Sequence, residues 1–574
     1  RNVSSWFVLM SGYNQQGRDD EVIFCFERML SERISPNAIA FICILRACGS
    51  IGAIDKGEQI HEDIVNRGLL EKDMVLGTAL VDMYAKCGAL EKSKKVLESL
   101  PVRDTISWNA LIAGYIQEGK DHEALNCFRW MQDENLSPDE VTFICVLQVC
   151  GNTRAFAMGK KVHEEILNRG FLGKGIALDT ALVDMYAKCG VLEKAQELLE
   201  GTPFRNNISW NALISGYAQE GLYHKALKCF EQMQCEGVPP TAVTFICILK
   251  ACGCKGALDK GKHIHDEIVS RGLFEKDNNL GIALVDMYAK CGDLARARQV
   301  LNELPDRNIV SWSALIAGFV QQGQGHEALK CYEQMLSEGL YPNIVTLICN
   351  LKACGSIGAT EMGRNVHDQI VCRGLLEDDT LGNALINMYA KCGELAKAQQ
   401  VLQELLVRDV VSWNALISGF AHQGQGHEAI RCLQMMQSEG LSPDKITFLC
   451  VLNACSHSGL FQEAQMLFGS MSVNNCITPN LEHHICMVVV FGSSGYFDKA
   501  MSVIESIPSS DYVSIWLALL DACRRWGNVS LGKLVFNELV QLDNRCSPSY
   551  VLMADLFAMT GMTEDAYKIN AMRL

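Results

Sequence analysis

The chain has 574 residues, 49% of them apolar and only 12 of them proline, with a formal net charge of −15 and a pI of about 5.4. A chain of this length ordinarily divides into several cores, yet no stretch reads as a Pro/Gly/Ser linker, and no run of about 18 uncharged apolar residues offers a membrane span. The acidic balance excludes a generic basic nucleic-acid binder, so any such role has to rest on where individual charges sit. Arg1 already lies inside a repeat and no targeting peptide is visible, so further residues are expected before it.

Taken in chain order, one phrase keeps returning: "SWFVLMSGY" at 5, "SWNALIAGY" at 107, "SWNALISGY" at 209, "SWSALIAGF" at 311 and "SWNALISGF" at 412. Its tryptophans, Trp6, Trp108, Trp210, Trp312 and Trp413, are 102, 102, 102 and 101 residues apart, and Trp516 in "SIWLALLDA" follows after 103. Such a period marks an array rather than one globular core. Within residues 105–206 the cycle divides into three predicted hairpins of 35, 36 and 31 residues. In the first, the tryptophan hairpin (105–139), Trp108, Leu111, Ile112, Tyr115 and Ile116 fall on one helical face. Gly119 interrupts; Leu125, Phe128 and Met131 mark a second helix that Pro138 closes. The cysteine hairpin (140–175) and the tyrosine hairpin (176–206) follow the same two-helix plan. This spacing divides the chain into cycles 1–104 (hairpins 3–37, 38–73 and 74–104), 105–206, 207–308, 309–409 and 410–512, with a tail at 513–574. A single hairpin cannot bury its apolar face alone, so neighbours must stack into a superhelix, and an all-α fold is predicted.

Most of the 26 cysteines recur in "YAKCG" (Cys87, Cys189, Cys291, Cys392) or in "FICILRACG" and its relatives (Cys43/Cys48, Cys145/Cys150, Cys247/Cys252, Cys349/Cys354, Cys450/Cys455). At fixed places in a helical repeat they read as small buried apolar residues rather than disulfide partners, and a reducing compartment is expected. Catalytic signatures fail. "HEE" at His163–Glu165 and "HDE" at His265–Glu267 mimic the H-x-E of zinc deaminases, but they recur beside His61 and His367 and no P-C-x-x-C accompanies them. They are read as helix-surface histidines. "GALDKGKH" (256–263) lacks the final Ser or Thr of a phosphate-binding loop and follows a helix; "GAIDKGEQ" (52–59) and "GATEMGRN" (358–365) show it to be an inter-helix turn. With no H-E-x-x-H and no nucleophile elbow, neither an enzyme nor a metal or other cofactor is expected.

Three phrases carry a resemblance to a known family. They are "SWNALIAGY", "FICILKACG…GALDKGKHIHDEIVSRGL" (245–273) and "NALINMYAKCGELAKAQQVLQEL" (383–405). Together the chain resembles a pentatricopeptide repeat protein of the plant type, in which P, L and S motifs alternate. The tail, "GLFQEAQMLFGSM" (459–471), "LEHHICMVVVFGSSGYFDKAMSVIESIP" (481–508) and "WLALLDACRRWGNVSLGKLVFNELVQLD" (516–543), resembles the last motifs and E region of organellar RNA-editing factors, although "VVVFGSSG" departs from the usual wording. Leu574 falls inside what resembles a second E motif.

The resemblance implies an all-α, right-handed superhelical solenoid of helix-turn-helix repeats. It implies sequence-specific binding of single-stranded RNA at about one base per repeat, read by two or three side chains. The fifth and last residues of a motif would select the base. In P motifs these are Phe7/Asn37, Asn109/Asp139, Asn211/Thr241, Ser313/Asn343 and Asn414/Asp444; in S motifs they are Thr78/Asp104, Thr180/Asn206, Ile282/Asn308 and Asn383/Asp409. Second residues, among them Val75, Ile106, Ile208, Val310 and Val411, would wedge against bases. Lys86, Lys188, Lys290 and Lys391, at the thirteenth place of S motifs, would meet the RNA backbone. By the family's code Asn with Asp favours U, Thr with Asp favours G, and Thr or Ser with Asn favours A. Phe7, Ile282 and Asn211/Thr241 depart from it. Motifs from residue 74 onward then read G-U-N-A-Y-N-N-A-N-U-U, where the L motifs are gaps because their fifth residues Ile42, Ile144, Ile246 and Ile348 cannot hydrogen-bond a base edge. The motif at 481–512 would lie four nucleotides before an edited cytidine.

Further implications are a monomer in the mitochondrion or chloroplast, no membrane contact, and a deaminase or editing-complex partner at the E region, any deaminase being supplied in trans or by a further C-terminal domain. Splicing or transcript stability are alternative outcomes. A tetratricopeptide-like protein-binding scaffold is the alternative of a different class, against which the code-compatible polar pairs argue.

Overall fold

The structure, a computed structural model, describes residues 3–70, 73–203, 205–473, 477–507, 513–543 and 546–573. It consists of two compact units, Arg1–Met287 and Tyr288–Leu574. The described residues form 34 α-helices and one short 3-10 turn, with no strand.

The cycle at 105–206 shows the plan. Its helices are Thr105–Gln117 and Asp121–Asp133, Glu140–Asn152 and Phe156–Asn168, then Ile176–Lys188 and Leu192–Gly201. They run as three helix pairs, with Gly119 at φ +69° turning the first of them where a residue with a Cβ would be strained. Within each unit the first helix of a hairpin packs on the first helix of the next, whereas a second helix packs on its own first helix and on the following one. First helices thus form a close-packed layer, with second helices behind it.

The recurring tryptophan is a junction residue. Trp108, Trp210, Trp312 and Trp413 are 5%, 1%, 1% and 2% exposed. The indole N–H of Trp108, Trp312 and Trp413 donates to Glu134, Glu338 and Glu439 at 3.0, 3.0 and 3.1 Å. Those same glutamates pair with Arg103, Arg307 and Arg408, which belong to the preceding tyrosine hairpin. Arg205 and Glu236 also pair, but the Trp210 N–H has no partner. The glycine of the phrase answers a different need. A Cβ on Gly114 would sit 2.7 Å from the Ala85 Cβ and 3.0 Å from a Leu90 methyl, and Gly419 meets Ala390 and Leu395 in the same way. Only a glycine lets the two helices approach this closely.

Cysteines behave as packing residues: Cys48, Cys150, Cys252, Cys354 and Cys455 are fully buried. Burial, the main influence, pushes the thiols of Cys150, Cys354 and Cys455 up to about 12. The histidine expectation needs correction. His163 is not a surface residue but 6% exposed, with Nδ1 2.8 Å from the Tyr186 hydroxyl of the tyrosine hairpin. His61 pairs with Tyr84 and His367 with Tyr389, each at 2.9 Å. The tyrosine lies 22 or 23 residues downstream, in the next hairpin, a relation that helical periodicity within one element does not reveal.

Burial lowers the pKa of His61, His163 and His367 below the ordinary value near 6.5. A base depressed in the folded state contributes its stability fully above the unfolded value, and that stability is lost as pH falls through and below it. Thermal melting at pH 5.5 is therefore expected several degrees below that at pH 7.5, and His163→Gln should narrow the gap. A midpoint independent of pH over this range would refute the account of these pairs.

Behind residue 480 the tail continues the plan with helices Leu481–Ser493, Phe497–Glu505, Val513–Trp526, Val529–Leu542, Ser547–Met559 and Thr563–Arg573. The end of the hairpin expected at 481–512 lies at 508–512, outside the described residues.

Candidate nucleic-acid interface

The nine residues singled out as the last of a motif share a structural position. Asn37, Asp104, Asp139, Asn206, Thr241, Asn308, Asn343, Asp409 and Asp444 are each the N-cap of the next hairpin's first helix. Asp104 Oδ1 accepts from the Ser107 amide at 2.8 Å and Asp139 Oδ1 from the Thr142 amide at 2.9 Å. Ser107, Thr142, Ser209, Thr244, Ser311, Ser412 and Thr447 return a bond to the cap's own N–H, closing capping boxes. The pattern Asp/Asn/Thr-x-x-Ser/Thr was legible in the sequence and would have placed these residues at helix starts.

Capping brings five of these last residues into hydrogen-bond contact with the fifth residue of the same motif, about one hairpin earlier. Asn109 Nδ2 donates to Asp139 Oδ1 at 2.9 Å, Asn211 Nδ2 to Thr241 Oγ1 at 3.2 Å, and Asn414 Nδ2 to Asp444 Oδ1 at 3.1 Å. Across the tyrosine hairpins, Asn206 Nδ2 donates to Thr180 Oγ1 at 3.3 Å and Asn383 Nδ2 to Asp409 Oδ2 at 3.3 Å. Other pairs are not joined directly. Thr78 spends its hydroxyl on the Met74 carbonyl at 3.2 Å, and Ser313 reaches Asn343 only through Thr346. Phe7 and Ile282 have no polar group to offer. Asn109, Ser313 and Asn414 are 7%, 6% and 8% exposed, so each keeps only an edge open to a ligand.

For the Asp139 carboxyl, burial alone would raise the pKa, but hydrogen bonds from the Thr142 amide, the Asn109 side chain and the Thr142 hydroxyl outweigh it and hold the group below its usual range. Asp444 is held down in the same way by Thr447 and Asn414. Both are anions at neutral pH, which fixes an N–H rather than a carbonyl toward the carboxylate. The Asn109 amide, with Oδ1 accepting from Thr142, therefore keeps one N–H and one oxygen lone pair for a base edge.

The candidate wedges stand out from the surface. Val75, Ile106, Ile208, Val310 and Val411 are 59%, 63%, 62%, 56% and 58% exposed. The same place in the cysteine hairpins holds Ile39, Val141, Val243, Val345 and Ile446, at 47%, 54%, 55%, 55% and 58% exposed. Reading those hairpins as gaps from their fifth residues overlooked this, although the β-branched residue at the second place was visible. Of the lysines, Lys86 and Lys188 each pair with an aspartate four residues earlier, Asp82 and Asp184, at 2.8 Å. Lys391 has Asn387 at that place. A phosphate would share the first two lysines with a carboxylate and meet the last without one. No cluster of metal-ligating side chains occurs among the described residues, and none of their helices is long and apolar enough to cross a membrane.

Stacked helical hairpins whose first helices start at a polar cap paired with the previous hairpin define a helical-repeat protein. The repeat can be named from its relatives. The PPR repeat family model matches residues 103–152, 205–254, 307–356 and 408–457, and the pentatricopeptide repeat domain model matches residues 1–50. Two pentatricopeptide repeat-containing proteins of Arabidopsis thaliana are 34% identical over 99% of this chain and 78% of their own length, and 33% identical over 100% and 66%; the second is described as chloroplastic. The chain belongs to the pentatricopeptide repeat family. Among solved structures, PPR10 from maize has a similar fold at a TM-score of 0.56 and 18% identity, over 98% of this chain and 87% of that one. PPR10 in complex with an 18-nt psaJ RNA element gives a TM-score of 0.60 at 17% identity, over 99% and 84%.

Proposed function

We propose that the chain is a sequence-specific single-stranded RNA-binding protein of the P-L-S subclass. Its task in that reading is site selection for organellar C-to-U editing, in the mitochondrion or chloroplast. The observation that carries the proposal is the joined polar pair, an amide or hydroxyl of one hairpin bonded to the cap of the next, repeated at the period of the array beside an exposed β-branched residue. Such a unit offers a hydrogen-bonding edge for a base and an apolar wall beside it, which suits unpaired bases. A protein-binding scaffold has no need of pairs that alternate Asn/Asp, Thr/Asp and Thr/Asn in code-compatible register. The chain itself supplies no catalytic group in this reading; its tail, read as E motifs, brings a deaminase from another chain or a further domain.

Binding is expected to weaken with salt at a modest slope, since few uncompensated lysines are available. The register is tested by Asn109→Thr, which should shift preference at the facing base from U toward G, measured with RNAs that differ only there. An unchanged preference would sink the assignment of Asn109 and Asp139.

A further inference from the structure

Two of the candidate base-selecting asparagines, Asn109 and Asn211, also bond a residue that the pairing scheme leaves out. Thr142, fully buried, lies with Oγ1 2.7 Å from the Asn109 Oδ1 and 2.9 Å from Asp139 Oδ1. Thr244, also fully buried, donates from Oγ1 to Asn211 Oδ1 at 2.6 Å while Asn211 Nδ2 donates to Thr241. In the next cycle Thr346 Oγ1 lies 2.7 Å from Ser313 Oγ and donates to Asn343 Oδ1 at 2.7 Å. Each threonine therefore lies behind both members of a pair; Thr142 has one hydroxyl proton for two oxygens, and its shorter contact is to Asn109.

We infer that Thr142 and Thr244 are positioning residues for base selection: their hydroxyls fix which edge of the Asn109 and Asn211 amides faces the RNA. An asparagine held only through Nδ2 can swing about that bond. With Oδ1 also occupied, the remaining N–H and lone pair point one way, and reorganisation on binding is reduced. This inference rests on the RNA-binding reading above and deepens it.

Two comparisons inside the chain support it. Where the fifth residue is Phe7, with no amide to orient, the corresponding position is Ala40 and the cap Asn37 bonds only the Ala40 amide. At Asn414 the Thr447 hydroxyl goes to Asp444 alone, at 2.8 Å, and Asn414 Oδ1 is left buried without a partner. The tryptophan hairpins thus contain the same Asn/Asp pair twice, once with the threonine donor and once without it. At the tyrosine-hairpin junctions the equivalent serines turn to their own caps: Ser107 Oγ donates to the Asp104 carbonyl and Ser412 Oγ to the Asp409 carbonyl, at 2.8 and 2.7 Å.

The test uses the full chain and two sets of four RNAs, varying the base that faces Asn109 or the base that faces Asn414. The wild type is expected to discriminate U more sharply at Asn109 than at Asn414. Thr142→Val should reduce the ratio at Asn109 by roughly two- to ten-fold, the range one hydrogen bond supports; it should leave the ratio at Asn414 unchanged, and Thr142→Ser should restore it. A purely structural role at the helix cap would lower the melting temperature and weaken all eight RNAs alike, which overturns the inference. So does an unchanged ratio in Thr142→Val while Asn109→Thr still shifts the preference. If Asn109→Thr shifts nothing either, the RNA-binding register itself fails.

Discussion

Trp210→Ala is expected to destabilise its hairpin by about 3–5 kcal/mol, the range for removing a large aromatic side chain from a packed core. The ring is 1% exposed and its N–H has no partner, so nearly all of that loss is packing. Tryptophan-to-phenylalanine changes separate packing from polar anchoring. At Trp108 the change also deprives Glu134 of a donor it holds at 3.0 Å, leaving only Arg103. A hydrogen bond to a charged group is worth about 1.5–3 kcal/mol, reduced here because Glu134 is partly exposed. Trp108→Phe should therefore cost more than Trp210→Phe. Hairpins in an array unfold partly as local units, so the loss should appear as faster amide exchange in the helices Asn207–Gln219 and Tyr223–Cys235 and their neighbours before it appears elsewhere. Equal costs for the two phenylalanine variants would show that the indole–glutamate–arginine link contributes nothing.

The second large effect concerns binding rather than stability. Changing Ile106, Ile208, Val310 and Val411 together to aspartate should lower RNA affinity by about three orders of magnitude, taking roughly 1 kcal/mol per site, the low end for removing a surface that covers a base. Carboxylates beside phosphates would add to the loss. The fold should not suffer. These side chains are 56–63% exposed, and each is the second residue of a helix, where an acid favours the positive end of the dipole. Melting and filter binding on the same preparations check both halves. A variant that melts early, or one that binds as the wild type does, would remove the wedge role from these residues.

Much of the fold was legible because the chain states each element several times. The spacing of Trp108, Leu111, Ile112 and Tyr115, the break at Gly119 and the stop at Pro138 mark two helices that the structure forms at Thr105–Gln117 and Asp121–Asp133. Contacts between hairpins were not legible, since periodicity within a helix says nothing of a partner some 30 residues away. His163 looked like a surface residue because its helix is charged around it; Tyr186, in the next hairpin, buries it. Asn109 looked as if it must face a ligand, whereas it is 7% exposed and its amide is bonded to Asp139 and Thr142. The candidate site residues were assigned through the family's register alone, and their place as helix caps comes from the geometry.

The central claim is that these capped pairs read RNA bases in order. It is tested most directly by filter-binding titration of the full chain against two RNAs, one carrying G-U-N-A-Y-N-N-A-N-U-U and one with its purines exchanged. Tight binding of the first and a loss of at least about tenfold for the second are expected, from one or more mismatched contacts of about 1.4 kcal/mol. Equal binding of the two, or none of either, would contradict the register and favour a protein partner for the same surface.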